Sequence, residues 1–235
     1  WDIDREAMDA YAERSHQRAA AVASAGEFCR EIVPIRVPSA DETTWISVDE
    51  TICPTMTVEV LEQMPATFAD NLCRAHYRDG AWNLTVGNSS QTADAATAML
   101  IMSERRARQL DLVPRARFRS FAVVAEHPDF LAPGPITATD LALKKVAMSV
   151  DQLDHVEVNE TFAAVPLAWQ ATVGVHPEFL NPRGGAIALG HPRGASGIRL
   201  MTTMLTALED TGGRFGLQAT WEAVGVGTVT IIERL

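Results

Sequence analysis

The chain has 235 residues, of which 47% are hydrophobic and 21% charged, and these ordinary globular values argue against a disordered or fibrous protein. Its formal net charge of -10 disfavours nucleic acids and acidic membranes as partners, because both are bound through positive fields. No apolar run is long enough to cross a bilayer, and the residues after Trp1 lack the basic and apolar segments of a secretory signal.

The first third of the chain predicts one helix followed by irregular structure. Residues 2–25 are rich in Ala, Glu, Arg and Gln, and Asp4 can cap a helix whose apolar residues fall near one face. Two short β-like runs follow at residues 32–37 and 44–48, among proline and glycine turn signals. Residues 32–80 are therefore expected to be loop-rich, with little regular order.

Beyond a turn at residues 87–90, helices and strands alternate. Helices are predicted over residues 93–110, 137–147, 161–173 and 195–208, and strands over residues 117–124, 155–158, 216–220 and 228–233. Thr137 is the expected N-cap of the second of these helices, and a glycine-rich turn is expected at residues 184–190. Such alternation is typical of a layered α/β domain, whose sites lie in loops at strand ends.

Asn159 is the first candidate site residue, because it stands where the strand predicted at residues 155–158 turns into a helix. Polar groups at such positions of α/β folds are presented to ligands. The Asn159 amide can donate to an oxyanion or hold a water molecule. The alternative is that Asn159 merely caps the helix that follows.

His191 is the second candidate, because it lies in an unusual glycine-rich segment. Residues 184–197 hold five glycines in fourteen positions, which permits positive φ angles and close approach of the backbone to a ligand. The segment leads into a helix whose first N–H groups are free, so His191 is expected beside a positive helix end. There it can polarise a thioester carbonyl or take a proton. The alternative is an ordinary surface or core histidine.

The other cysteines, histidines and arginines give weaker signals. Cys29, Cys53 and Cys73 lack metal-type spacing, and their odd number favours a reducing compartment, so a cytoplasmic protein is predicted. The six histidines are scattered without ligand spacing, and no metal site is predicted. Arg183 and Arg193 are interpreted as solvated surface charges or, alternatively, as contacts to phosphate.

Residues 158–162 together with the Gly-His-Pro loop around His191 resemble the thiolase family. Further segments resemble thiolases in the same order, at residues 13–17, 87–90 and 230–234, so the similarity covers nearly the whole chain. The resemblance implies a layered α-β-α-β-α fold, in which two halves share one architecture and a loop domain is inserted into the first half. It implies three segments: the later part of the loop domain at 1–92, the tail of the first half at 93–113, and the complete second half at 114–235.

The resemblance also assigns roles to single residues. It implies that His191 activates the nucleophile and helps to bind the thioester oxygen, and that Asn159 orders a water molecule in the same oxyanion hole. Ser90 matches a position near the pantetheine arm of coenzyme A, and Phe162 matches one that lines the pocket. Gly190, which precedes the histidine, is predicted to belong to the same substrate-binding region.

The main departure from the family lies at two positions near the end of the chain. Trp221 stands where the family has its second cysteine, the acid/base of carbon-carbon bond chemistry, and Ala223 stands where it has a glycine N–H donor. An indole cannot exchange a proton with a substrate carbon. Glu222 is an alternative base, but neighbouring residues of a strand point to opposite faces. The cysteine that becomes acylated in thiolases has no match among Cys29, Cys53 and Cys73, which are interpreted as structural thiols.

The resemblance therefore implies an acyl-CoA acyltransferase or carbon-carbon lyase component of fatty-acid β-oxidation or related lipid metabolism. Another segment or a partner chain would supply the nucleophile, and coenzyme A would be substrate or product, with no permanently bound cofactor. A homo- or hetero-oligomer is expected from the resemblance. The alternative is a noncatalytic subunit that keeps the fold in order to hold an oligomeric partner.

Overall fold

Helices and strands alternate through the second half of the chain, whereas the first half is built mainly on one long helix. The computed structural model describes residues 1–38, 43–77, 80–127, 132–222 and 225–235. The helices are α1 (Arg5–Ser24), α2 (Val58–Glu62), α3 (Asn71–His76), α4 (Glu104–Gln109), α5 (Pro133–Lys145), α6 (Ala164–Val173), α7 (Ala186–Leu189) and α8 (Ser196–Thr211). The strands are β1 (Ile35–Pro38), β2 (Thr43–Ile46), β3 (Ala116–Ala125), β4 (His155–Val158), β5 (Phe215–Glu222) and β6 (Val226–Arg234).

The second half of the chain contains a four-stranded mixed sheet in the order β3-β6-β5-β4. Strand β6 is antiparallel to β3 and β5, while β4 and β5 run parallel, with Val158 opposite Ala219. Because side chains alternate across a strand, Leu217 faces the main core with α5 and α6, whereas Gly216 faces Met204 of α8. Helices therefore cover both faces of the sheet, and the carboxyl ends of β4 and β5 lie side by side.

Helix α1 packs the first part of the chain onto the glycine-rich segment. Its predicted N-cap is confirmed, since Asp4 Oδ1 accepts a hydrogen bond from the Ala7 N–H at 2.8 Å. A Cβ on Gly184 would lie 2.7 Å from the Ser15 carbonyl oxygen, so this glycine lets the two segments touch. The buried stripe of α1 has helical spacing and includes Met8, Tyr11, Ala12, Ser15 and Ala19.

The helix predicted over residues 93–110 is wrong for its first part. Only Glu104–Gln109 is helical, and it begins after Ser103, whose hydroxyl accepts a hydrogen bond from the Arg106 N–H. Residues 93–103 have no regular structure, and Leu100 is 76% exposed. The run of apolar residues before Ser103 has no helical period, and such a run does not distinguish a helix from an extended segment.

Other helix boundaries also differ from the prediction. Helix α5 begins at Pro133, because proline suits the first turn of a helix, and Thr137 is not its N-cap but donates a hydrogen bond to Glu126. Helix α6 begins at Ala164 instead of residue 161. The predicted glycine-rich turn contains the short α7, and the predicted loop-rich region contains α2 and α3. The sheet strands match the predicted runs closely.

The part of the chain that the structure describes has no helix both long and apolar enough to span a membrane. Within the same ranges no cluster of histidine, cysteine, aspartate and glutamate is arranged to hold a metal ion. Cys29, Cys53 and Cys73 are all free thiols.

Candidate active site

Three segments that carry predicted site residues meet at the carboxyl end of β4. The turn at residues 87–90 is hydrogen-bonded to the strand end, because the Ser90 N–H donates to the Thr161 carbonyl at 3.0 Å. On its other side, the Gln91 carbonyl accepts a hydrogen bond from the His191 N–H at 2.8 Å. Two adjacent residues, Ser90 and Gln91, thus join the segment that carries Asn159 to the loop that carries His191.

The His191 imidazole is oriented by the first residue of α8. Its Nδ1 lies 2.7 Å from the Ser196 hydroxyl oxygen, and that hydroxyl also lies 3.1 Å from the Pro192 carbonyl oxygen. Since the single hydroxyl proton is donated to the carbonyl, Ser196 accepts a hydrogen bond from Nδ1–H. This arrangement favours the tautomer in which Nε2 carries the lone pair, which is the form a general base requires.

Asn159 is buried, with 2% of its surface exposed, and does not cap a helix. Helix α6 starts five residues later with Ala163 as its N-cap, so the capping alternative is wrong. The Asn159 N–H donates to the Ala219 carbonyl at 3.0 Å, and Nδ2 donates to the Thr161 hydroxyl at 3.0 Å. No described residue hydrogen-bonds Oδ1. A buried acceptor in this state is normally satisfied by water or a ligand.

A buried carboxylate, Glu160, ties the site to α1 and α7. One of its oxygens accepts hydrogen bonds from the Tyr11 hydroxyl at 2.8 Å and Asn181 Nδ2 at 2.9 Å. The other accepts from the Ser15 hydroxyl at 2.8 Å and the Ile187 N–H at 3.1 Å. These four donors satisfy both carboxylate oxygens and fix the strand end against both helices.

Glu160 and its four hydrogen-bond partners, Tyr11, Ser15, Asn181 and Ile187, form the Glu160 cluster. Two further observations describe its chemistry and its backbone. Burial and the neighbouring Glu160 charge raise the pKa of Tyr11 well above its ordinary value, so the phenol keeps the proton that it donates. Asn181 adopts a positive φ of 44°, and its side chain also pairs with both backbone groups of Val158. Asn159 was predicted from the sequence, whereas its neighbour Glu160 was not. The only sequence signal for Glu160 is that it directly follows Asn159.

A cavity of about 470 Å³ opens beside the junction. Ser90 and Phe162, both predicted to bind substrate, line it, and the Phe68 ring contacts that of Phe162 edge-on at 6.5 Å between centroids. The structure does not place Asn159, Gly190, His191 or Trp221 in this lining. Gly190 lies next to Thr51, a lining residue, since a Cβ added to this glycine would lie 3.7 Å from the Thr51 methyl carbon.

Trp221 lies one residue beyond the level of Asn159 on the neighbouring strand β5. It pairs with Gly227 of β6 and packs against the main core, on the face that also carries Leu217. Its indole Nε1 is buried and makes no hydrogen bond with the described residues. Ala223 lies outside the described residues, as does the side chain of Glu222, so the roles predicted there stay predictions.

Arg183 is not the solvated surface charge that one interpretation predicted. It is 5% exposed, and its guanidinium pairs with Asp210 at 2.6 Å and with Glu27 and Glu31 at 3.3 Å. A buried cation surrounded by carboxylates is structural, and removing it would take the cation away from the buried Glu31 carboxylate. The phosphate alternative is not supported either, because these carboxylates occupy the guanidinium.

Comparison with known families places this fold and site in one class. The family description "Thiolase, C-terminal domain" matches residues 112–234, and "Thiolase, N-terminal domain" matches residues 1–105. The chain belongs to the thiolase family. The predicted family and the predicted layered α/β fold are thereby confirmed.

Individual relatives agree with the family assignment. The chain is 41% identical to a steroid 3-ketoacyl-CoA thiolase of Mycobacterium tuberculosis, matching 100% of this chain and 54% of the relative. It is 42% identical to a 3-ketoacyl-CoA thiolase of Citrobacter koseri, matching 99% of this chain and 59% of the relative. The chain therefore spans little more than half the length of these relatives.

Solved structures give the same result. The Bacillus anthracis acetyl-CoA acetyltransferase superposes with a TM-score of 0.91 at 30% identity, covering 100% of this chain and 57% of the other. Human mitochondrial 3-ketoacyl-CoA thiolase superposes with a TM-score of 0.88 at 33% identity, covering 99% of this chain and 56% of the other.

Gly190→Ala is expected to destabilise the loop that carries His191. Gly190 has φ 82° and ψ 162°, which only glycine adopts readily, and a Cβ would lie 2.6 Å from that of Ala93. We expect a loss of about 2 kcal/mol in the free energy of unfolding, measured by urea denaturation. Gly174→Ala is a control for a left-handed backbone without a steric contact, because Gly174 has φ 85° and ψ 18° and no atom within 4 Å of its added Cβ. We expect a smaller loss there, and a Gly190→Ala protein as stable as the wild type would contradict the prediction.

Proposed function

We propose that this chain is the acyl-CoA-handling component of a thiolase-type acyltransferase or carbon-carbon lyase in fatty-acid or related lipid breakdown. The names of its relatives, which are 3-ketoacyl-CoA thiolases, support this proposal. The observation that carries it is the hydrogen-bonded junction that joins the segments of Asn159, Ser90 and His191 beside a cavity. Coenzyme A is a substrate or product in this proposal, and no cofactor is permanently bound.

In the proposed reaction His191 transfers the proton of the attacking thiol, and Asn159 stabilises the thioester oxygen. The Nε2 lone pair of His191 takes the proton of an attacking thiol and later returns it to the leaving group. The unpaired Oδ1 of Asn159 holds a water molecule whose proton stabilises the negative charge that develops on the thioester oxygen. The pantetheine arm runs along Ser90 and Phe162 through the cavity.

The attacking thiol comes from another segment of the protein or from a partner chain in this proposal. None of Cys29, Cys53 and Cys73 lies in a sequence context that matches the family's acylated cysteine. Trp221 carries no group that exchanges protons with a carbon acid, so the carbon-carbon step also requires a group from elsewhere. The segment boundaries 1–92, 93–113 and 114–235, the cytoplasmic location and an oligomeric state belong to the same proposal.

The test is to combine the chain with any upstream segment or partner that supplies the nucleophile and to assay two reactions. One is thiolysis of a 3-ketoacyl-CoA, and the other is exchange of labelled coenzyme A into an acyl-CoA, which needs no acid/base at position 221. We expect exchange that disappears in His191→Ala and persists in His176→Ala, a matched change at an exposed histidine. If the wild type supports neither reaction, the acyltransferase proposal is excluded.

A second candidate function is favoured by Trp221 and Ala223, which replace groups that the family uses for chemistry. In this alternative the chain is a noncatalytic subunit that retains the fold to hold an oligomeric partner, such as a hydratase-like chain or an active thiolase chain. Calorimetric titration separates the two candidates. A scaffold has no affinity for coenzyme A, whereas an acyl-CoA-handling component binds it.

A further inference from the structure

His16 is a buried histidine of α1 that lines the 470 Å³ cavity, and one of its two ring nitrogens makes a hydrogen bond. It is 2% exposed, and its Nδ1 accepts a hydrogen bond from the Cys53 N–H at 3.2 Å. Throughout the described ranges of the chain, the His16 ring hydrogen-bonds only Cys53, and Nε2 has no protein partner. Sequence reasoning counted His16 only among scattered histidines without ligand spacing.

The contact with Cys53 decides which proton the ring carries. A nitrogen that accepts a backbone N–H has no proton of its own, so the neutral His16 ring must carry its proton on Nε2. Burial lowers the pKa of His16 below its ordinary value, so the ring stays neutral near pH 7. His16 therefore offers a single neutral donor and no acceptor beyond the one that Cys53 occupies.

The rest of the cavity wall limits what can accept that hydrogen bond. None of the described lining residues is an acidic or basic residue other than His16 itself. One part of the wall is apolar, with Met56, Met64 and Phe68, and another carries hydroxyl and amide groups such as Thr51 and Gln91. A wall of this kind suits an uncharged chain with carbonyl groups, and it does not suit phosphates, which need positive charge.

A donor that faces a cavity is paired by water or by a ligand, so a ligand that displaces this water should present an oxygen to Nε2–H. We propose that His16 is a positioning residue that donates through Nε2–H to an amide carbonyl of the pantetheine arm of a bound CoA thioester. This proposal rests on the proposed acyl-CoA function and deepens it. The pantetheine arm is the uncharged, amide-bearing part of such a ligand, and the same cavity holds Ser90 and Phe162.

The test compares three variants in calorimetric titrations with coenzyme A on the full chain. His16→Gln keeps an acceptor for the Cys53 N–H and a donor for the ligand, so its Kd should stay within about threefold of the wild type. His16→Leu keeps bulk but has no donor, so its Kd should rise about tenfold. His176→Leu, at an exposed histidine, is the matched control and should leave the Kd unchanged.

A second measurement on the wild type does not depend on how the variants fold. In nitrogen-15 NMR of labelled histidines, coenzyme A should shift the His16 Nε2–H resonance and leave the Nδ1 resonance in place. If coenzyme A binds but that resonance does not move, or if His16→Leu binds as tightly as His16→Gln, the positioning role is overturned. If the wild type itself binds no coenzyme A, the failure lies with the proposed function, and the role of His16 falls with it.

Discussion

Gly185→Ala is expected to lower the free energy of unfolding by at least about 3 kcal/mol, because a buried carboxylate occupies the space of the added methyl group. A Cβ on Gly185 would lie 2.2 Å from the Glu160 carboxyl carbon and 2.4 Å and 2.5 Å from its oxygens. The φ of Gly185 is -144°, so the backbone itself tolerates alanine, and the effect is purely steric. Relief requires that the carboxylate move away from the four donors that satisfy it.

Urea denaturation of purified wild type and variant measures this loss. Gly194→Ala is the matched control, because it lies in the same glycine-rich segment and an added Cβ there would meet nothing within 4 Å. We expect the control to stay within about 0.5 kcal/mol of the wild type. A Gly185→Ala protein as stable as the control would mean that the Glu160 cluster tolerates displacement and does not fix the site.

The second large effect is expected from restoring the family residues near the end of the chain. Trp221→Cys combined with Ala223→Gly should increase hydrogen exchange at the α-carbon of a bound acyl-CoA by about a hundredfold or more, which is typical of general acid–base catalysis. The physical reason is that a thiol replaces an indole that cannot exchange protons. Mass spectrometry of the acyl-CoA after incubation in deuterated water measures the exchange.

Removing the indole also opens space, and this must be separated from the chemistry. Trp221 packs against the main core, so truncation is expected to cost about 3 kcal/mol of stability. Trp221→Ser combined with Ala223→Gly opens the same space without a thiol and should show no gain in exchange. A cysteine variant that is folded and binds acyl-CoA, yet exchanges no faster than the serine variant, would contradict the acid/base role of position 221.

The parts of the fold that follow from local pattern could be predicted from sequence. The Asp4 cap and the strands β3 to β6 depend on neighbouring residues, and the structure confirms them. The helix predicted at residues 93–103 is wrong, because a continuous run of apolar residues has no helical period. The predicted start of α5 is wrong, because it rests on Thr137 as the N-cap, whereas the Thr137 hydroxyl donates a hydrogen bond to Glu126.

The candidate site was only partly predictable, for a different reason. Asn159 and His191 stand out because each follows a local signal, a strand end or a glycine-rich loop. The Glu160 cluster and the cavity are tertiary: Asn181 meets Tyr11 across 170 positions of the chain, and His16 meets Cys53 across 37. No local pattern identifies such partners. Gly185, similarly, is required by a distant carboxylate and not by its own backbone angles.

The proposed site is tested directly by a crystal structure of the protein, together with any segment or partner that supplies the nucleophile, bound to a non-reactive acyl-CoA analogue. Once Nε2 of His191 has taken the proton of the nucleophilic thiol, we expect Nε2–H and a water molecule held by Asn159 each to lie about 3 Å from the thioester oxygen. An imidazole and an amide that line separate crevices, with the analogue bound at neither, would contradict the proposed site.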